Sequence, residues 1–158
     1  MTNEPQIDVQ VGELSADEAA DVPDADWLAG WVQAALSGNH EAVTVRIVGP
    51  AEIQALNRDY RDADKPTNVL SFPAGPIEGL PPEESGPLGD IVICADVVSR
   101  EAGEQGKALT DHWAHMLVHG TLHLLGYDHM TDVEAAEMEQ LEIRILADGG
   151  VGNPYVSR

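Results

Sequence analysis

Residues 109–126, LTDHWAHMLVHGTLHLLG, constrain the fold more than any other stretch of the chain. On a helix turning about 100° per residue, His112, His115, His119 and His123 fall within an arc of about 80°. Trp113, Leu117, Gly120 and Leu124 form a neighbouring stripe, and Ala114, Val118 and Leu125 continue round the back. A helix apolar over that much of its circumference is a core helix. Its polar strip is almost entirely imidazole. Buried imidazoles require partners, and a shared metal ion supplies one to several of them at once.

HGTLHLLGYDH, residues 119–129, sharpens that expectation, because its three histidines are spaced by four and six. His119 and His123 reach one ion from a single helix face. Gly126 fits the position after the last helical turn, where a left-handed conformation reverses the chain. The reversal carries Tyr127, Asp128 and His129 back toward the helix, so that His129 supplies a third ligand. Three neutral nitrogens and one open position are the pattern of a catalytic zinc site, whereas closed structural sites use four ligands, often cysteine. The bland alternative is a set of capped or core histidines, which suits one such residue better than three at this spacing. Long zinc-protease signatures share the ligand ladder but carry a glutamate where this chain has Gly120. Gly120 lies on the packing stripe, where the missing side chain lets another backbone come close. A bound metal lowers the pKa of its water to about 7. Asp128 is then either a base for that water or a group that orients a ligand ring from behind. His115, one turn before His119, is an outer ligand, a proton shuttle or a buried neighbour.

A chain of 158 residues suits one domain spanning 1–158, and its 43% hydrophobic and 23% charged content is ordinary for a soluble globular protein. Strands are expected at 7–11, 42–49, 67–72 and 89–95, the last continuously apolar and therefore central. Helices are expected at 24–38, 50–62, 96–106, 109–126 and 131–146. Asp24, Thr110 or Asp111, and Thr131 or Asp132 are their candidate caps. Residues 73–88 hold six prolines and glycines in their first ten positions and read as a long loop. The fold class is α+β with α/β-like character: a small mixed four-stranded sheet packed with about five helices, the metal site lying on a core helix and the turn after it. Asp90, at the start of the central strand, is a candidate buried acid that positions Arg61 or the histidines, or only caps the strand.

Eight Lys and Arg against 28 Asp and Glu leave a net charge of −20, a surface that repels nucleic acid and anionic membranes at long range. A polyanionic substrate therefore needs a local basic patch. Arg58, Arg61 and Lys65 gather three of the eight basic residues within eight positions, a plausible phosphate clamp. The competing reading is a solvated helix end paired with Asp59, Asp62 and Asp64. Cys94 is the single cysteine, which fits a reducing compartment. No apolar run approaches the roughly 20 residues that span a bilayer, and the N-terminal stretch shows no secretory pattern. The cytoplasm is the expected location, without membrane attachment.

HGTLHLLGYDH resembles the signature of the YbeY family, the bacterial ribosomal RNA maturation endoribonucleases. LNRDYRDADKPTNVLSFP (56–73) is similar to that family's other distinctive stretch, and GDIVIC (89–94) and HWAHMLVHG (112–120) also match. The similarity covers most of residues 50–146 in the right order. The resemblance implies one zinc ion per chain held by His119, His123 and His129, and cleavage of single-stranded RNA. It further implies a place in small-subunit ribosomal RNA 3′-end processing and ribosome quality control, with the ribosomal RNA precursor and the ribosome as partners. Arg61 matches the arginine proposed to contact RNA, which joins it to the three histidines as a catalytic candidate; Lys65 is a further substrate-binding candidate. Two other readings remain at this point: a metallopeptidase-like hydrolase, and a non-catalytic, zinc-stabilised ribosome-assembly factor.

Overall fold

Val43, Val45 and Ile47 alternate with Thr44 and Arg46, and such β-branched alternation builds the centre of one mixed sheet. A computed structural model describes residues 7–36, 42–73, 88–127 and 130–155. Their elements run β1 (Ile7–Val11), α1 (Ala16–Ala20), α2 (Ala25–Leu36), β2 (Val43–Val48), α3 (Pro50–Arg61), β3 (Val69–Pro73) and β4 (Gly89–Cys94), followed by α4 (Ala95–Gln105), α5 (Leu109–Leu124) and α6 (Asp132–Asp148). The strand order is β1-β2-β4-β3. β1 and β4 pair with β2 in parallel, and β3 pairs with β4 antiparallel, with Val69 opposite Ile93. The expected α+β class and the central place of β4 hold.

Six helices are described where about five were expected. The extra one, α1, has only five residues, too few to show a period. Its start was written in the chain as a capping box, in which Ser15 Oγ accepts from Glu18 N and Glu18 Oε1 accepts from Ser15 N. Thr131 caps α6 as expected, accepting from Glu134 N at 3.1 Å. The proposed caps of α5 are corrected: the helix opens at Leu109, its N-cap is Ala108, and no side chain caps it. Thr110 and Asp111 therefore lie inside the first turn. Residues 37–38 of the expected helix 24–38 and residues 74–87 of the expected loop fall outside the described residues.

The strand alternation divides the core. Val43, Val45, Ile47, Ile91, Ile93 and Val69 face α2 and α5, whereas Val48, Leu70, Val92, Cys94 and Phe72 face α3. Helix α5 is covered twice. Trp113, Leu117 and Leu124 pack on the sheet side, and Ala114, Val118 and Leu122 meet Met138, Ile145 and Leu146 of α6.

Gly120 sits at the tightest point of this packing. A Cβ there would stand 2.9 Å from Ile91 Cγ2 and 3.3 Å from Val69 Cγ2, and the Gly120 carbonyl accepts from Ser71 Oγ at 2.9 Å. Ile91 is fully buried and β-branched, so its methyl has little freedom to withdraw. Alanine gains about 1 kcal/mol of helix propensity over glycine, but overpacking costs about 1–3 kcal/mol. Gly120→Ala is therefore expected to lower the urea midpoint with an unchanged m-value. A gain in stability would mean that the α5–sheet gap relaxes freely.

Candidate metal centre

The helical strip is real, and its burial is graded. His112 and His115 are buried, at 3% and 7% exposure, while His119 and His123 toward the C-terminal end of α5 are half-buried. The helix ends as the glycine anticipated. Gly126 takes φ +103°, Gly126 N donates to His123 O, and Tyr127 N donates to Leu122 O, both at 3.0 Å. This reversal brings the Tyr127 carbonyl under the His123 ring, whose Nδ1 lies 3.0 Å from it.

Acceptor-only partners fix the tautomers. A carbonyl only accepts, so His123 donates through Nδ1–H to Tyr127 O. The ionised Glu142 carboxylate also only accepts, so His119 donates through Nδ1–H to Glu142 Oε1 at 3.2 Å. In the neutral rings both Nε2 atoms then carry lone pairs, and these two atoms face each other at 3.1 Å. Lone pairs so placed repel, and a shared cation turns the repulsion into attraction. Two nitrogens each about 2.0–2.1 Å from a tetrahedral zinc ion lie roughly 3.3 Å apart. The donor set therefore fits a metal.

Glu142, on α6, is the hub behind these rings. It is 1% exposed, and Oε2 accepts from His115 Nε2 at 2.5 Å and from the Tyr155 hydroxyl at 2.7 Å. Burial alone raises a carboxyl pKa. Here hydrogen bonds from His115 and His119, with their charge, outweigh it and hold Glu142 down at about 2. Burial and the adjacent carboxylate push the Tyr155 phenol well above its ordinary range, so it remains a donor. His115, His119 and Glu142 each offer a ligand atom within 4.8 Å of the others, so this group too could hold a metal ion. One turn earlier, His112 Nε2 meets Glu101 Oε1 at 3.0 Å, and Glu101 also accepts from Asn68 Nδ2, tying α5, α4 and the start of β3 together. Burial lowers the His112 pKa.

Asp128 and His129 lie outside the described residues. Asp90 is corrected: it is exposed on β4 rather than a buried acid. The polar side chains at β3 are committed within the fold: Asn68 Nδ2 donates to Glu101 and Ser71 Oγ to the Gly120 carbonyl. Arg61 is exposed at the end of α3, where Asp62 reverses the chain at φ +58°, and Lys65 is exposed in the turn that follows. Arg58 pairs with Asp59 at 3.3 Å, as the solvated-helix reading held. Helix α3 packs on the sheet face opposite α5, so Arg61 and the histidines belong to opposite sides of the sheet. Glu142 and Tyr155 were missed from the sequence. The signal for Glu142 was its position on the buried stripe of α6, between Met138 and Ile145.

Comparison with known proteins adds the family. A profile described as Endoribonuclease YbeY matches residues 15–150. The chain belongs to the YbeY family. Relatives named Endoribonuclease YbeY include that of Halorhodospira halophila, 55% identical over 141 residues, covering 88% of this chain and 92% of that one. That of Alcanivorax borkumensis is 54% identical over 155 residues, covering 96% and 86%. One from Stenotrophomonas maltophilia is 57% identical over 139 residues, covering 86% of each. A solution structure of a Thermotoga maritima protein aligns with 96% of this chain and 99% of its own, at a TM-score of 0.51 and 21% identity, and shares the fold. By name, the YbeY family consists of endoribonucleases, hydrolases of RNA phosphodiester bonds. Its match spans all of α5 and α6, so the histidine strip and Glu142 belong to the part of the chain that the family covers.

The Glu142 pKa carries a pH consequence for the metal-free chain. A carboxyl depressed by the fold contributes stability that is full above its ordinary value of 4.5 and drains as pH falls toward about 2. Urea unfolding across that window is expected to show a steep acid loss, and Glu142→Gln is expected to flatten it. An equally steep loss in the variant would place the acid sensitivity elsewhere.

Proposed function

We propose that this chain is a zinc-dependent endoribonuclease that cuts single-stranded RNA in ribosomal RNA maturation, at the 3′ end of the small-subunit RNA, and serves ribosome quality control. The single observation that carries the reading is the pair of Nε2 atoms of His119 and His123, 3.1 Å apart with both Nδ1 atoms engaged as donors, in a chain of an endoribonuclease family. His119, His123 and His129 are the proposed ligands of one zinc ion. When bound, such an ion supplies Lewis acidity to a phosphate oxygen or lowers the pKa of water. A cavity of about 380 Å³ opens beside His119, lined also by Ala135, Met138, Glu139, Glu142 and Tyr155.

The rest of the work falls to the chain's own side chains. Arg61, exposed and without an ion pair among the described residues, binds phosphate oxygens with a two-pronged contact. Lys65 adds charge beside it, and Asp128 steadies a ligand ring. An RNA strand touching both Arg61 and the histidines passes over the edge of β3, which suits an extended single strand better than a duplex. A peptidase reading loses ground at Gly120, because a glutamate there would have to fit against Ile91 and Val69. The cytoplasm and the ribosome are the proposed setting. Among the described residues no helix is long and apolar enough to cross a membrane.

Protein purified from a ribonuclease-deficient host is expected to carry about one zinc per chain, measured by elemental analysis, and to cut single-stranded RNA in a chelator-sensitive way. His119→Ala and His123→Ala are expected to lose both metal and cleavage. If His119→Ala loses metal and unfolds, and the intact protein never cuts RNA, the assembly-factor reading wins. Cleavage of peptides rather than RNA would restore the peptidase.

Arg61→Ala is expected to weaken binding of single-stranded RNA and to lower the slope of log K against log salt by about 0.7, one phosphate contact's share. An unchanged slope would remove Arg61 from the RNA path.

A further inference from the structure

We infer that Glu142 is a positioning residue for the metal: it holds the His119 ring in the Nδ1–H tautomer with Nε2 turned toward the ion, while His115 and Tyr155 hold Glu142 in turn. The inference rests on the metal reading above.

Three observations carry it. Glu142 Oε1 accepts from His119 Nδ1 at 3.2 Å, on the side of the ring away from the Nε2 that meets His123 at 3.1 Å. The two ring nitrogens point in diverging directions, so an ion between the Nε2 atoms is out of reach of this carboxylate. Its other oxygen is already taken, accepting from His115 Nε2 at 2.5 Å and from the Tyr155 hydroxyl at 2.7 Å. The carboxylate is also 1% exposed, a placement that is unfavourable unless donors surround it. Three donors do so here, two from α5 and one from the segment after α6.

The chemistry explains why such a group is useful. A neutral imidazole without a partner favours the Nε2–H form, which places a proton where the metal must bind. An acceptor at Nδ1 reverses that preference and makes Nε2 a better ligand. His123 obtains the same service from the Tyr127 carbonyl. Thus one ring is set by its own helix end, the other by a distant helix. Tyr155 makes the second arrangement depend on the segment after α6 as well. Its ring packs edge-on against His115, with centroids 5.4 Å apart.

The test compares the intact chain with Glu142→Leu, Glu142→Gln and His119→Ala. Long-range ¹H–¹⁵N NMR on chelator-stripped protein is expected to find His119 protonated at Nδ1. In Glu142→Leu the proton should move toward Nε2, and zinc affinity, read by competition with a chromophoric chelator, should fall about 10–100-fold with one site retained. Glu142→Gln keeps an acceptor oxygen and should recover most of that affinity. An Nε2–H tautomer in the intact chain overturns the inference even if Glu142→Leu does not fold. So does an unchanged affinity in Glu142→Leu. Loss of the zinc by Glu142→Gln to the extent seen in His119→Ala would make Glu142 a ligand and overturn it too. Zinc retained by His119→Ala would instead overturn the metal reading; the tautomer result, obtained without metal, would still decide whether Glu142 orients the ring.

Discussion

Helix α5 is packed on the sheet through Trp113, Leu117 and Leu124, and on α6 through Ala114, Val118 and Leu122. Its histidines occupy what is left of the circumference and must find partners there. Three partners serve the four: His112 bonds Glu101 of α4, His115 and His119 share Glu142 of α6, and His123 bonds the carbonyl of Tyr127. The polar strip thus ties the helical layer together, because unpartnered imidazole in such a seam costs more than a hydrogen bond returns. The same bonds fix which ring nitrogens face inward and which face one another.

The site is graded along the helix. His112 and His115 are sealed, and the pair formed by His119 and His123 opens toward solvent. A metal ligand needs this combination: a rigid, dry support behind and an accessible front. Gly120 follows His119 in the chain and faces the sheet, where its lack of a side chain lets α5 lie close to Ile91 and Val69. The residue that a protease would use as a base is here a packing contact.

Charge works differently. With 28 acidic and eight basic residues the chain repels RNA over most of its surface, and Arg46, Arg58 and Arg100 are each paired with a nearby carboxylate. Arg61 and Lys65 remain exposed at the turn leading into β3. Binding of a polyanion through so few cations should be strongly localised, and salt should weaken it only modestly.

Most elements were legible because their periods are strong: β-branched alternation in β2, the apolar arc of α5, the turn at Gly126. Helix α1 was not, being too short to show a period, and neither was the uncapped start of α5. At the site, the sequence alone determined the histidine ladder and the glycine that ends it, since spacings of three, four and seven put side chains on one face of any helix. Only the tertiary structure decided that Glu142 stands behind His119, that Asp90 faces solvent, and that Arg61 lies across the sheet from the histidines. Those relations join residues from different elements. No local rule of spacing encodes them; they arise when the apolar faces of α5 and α6 come together and carry their polar side chains with them.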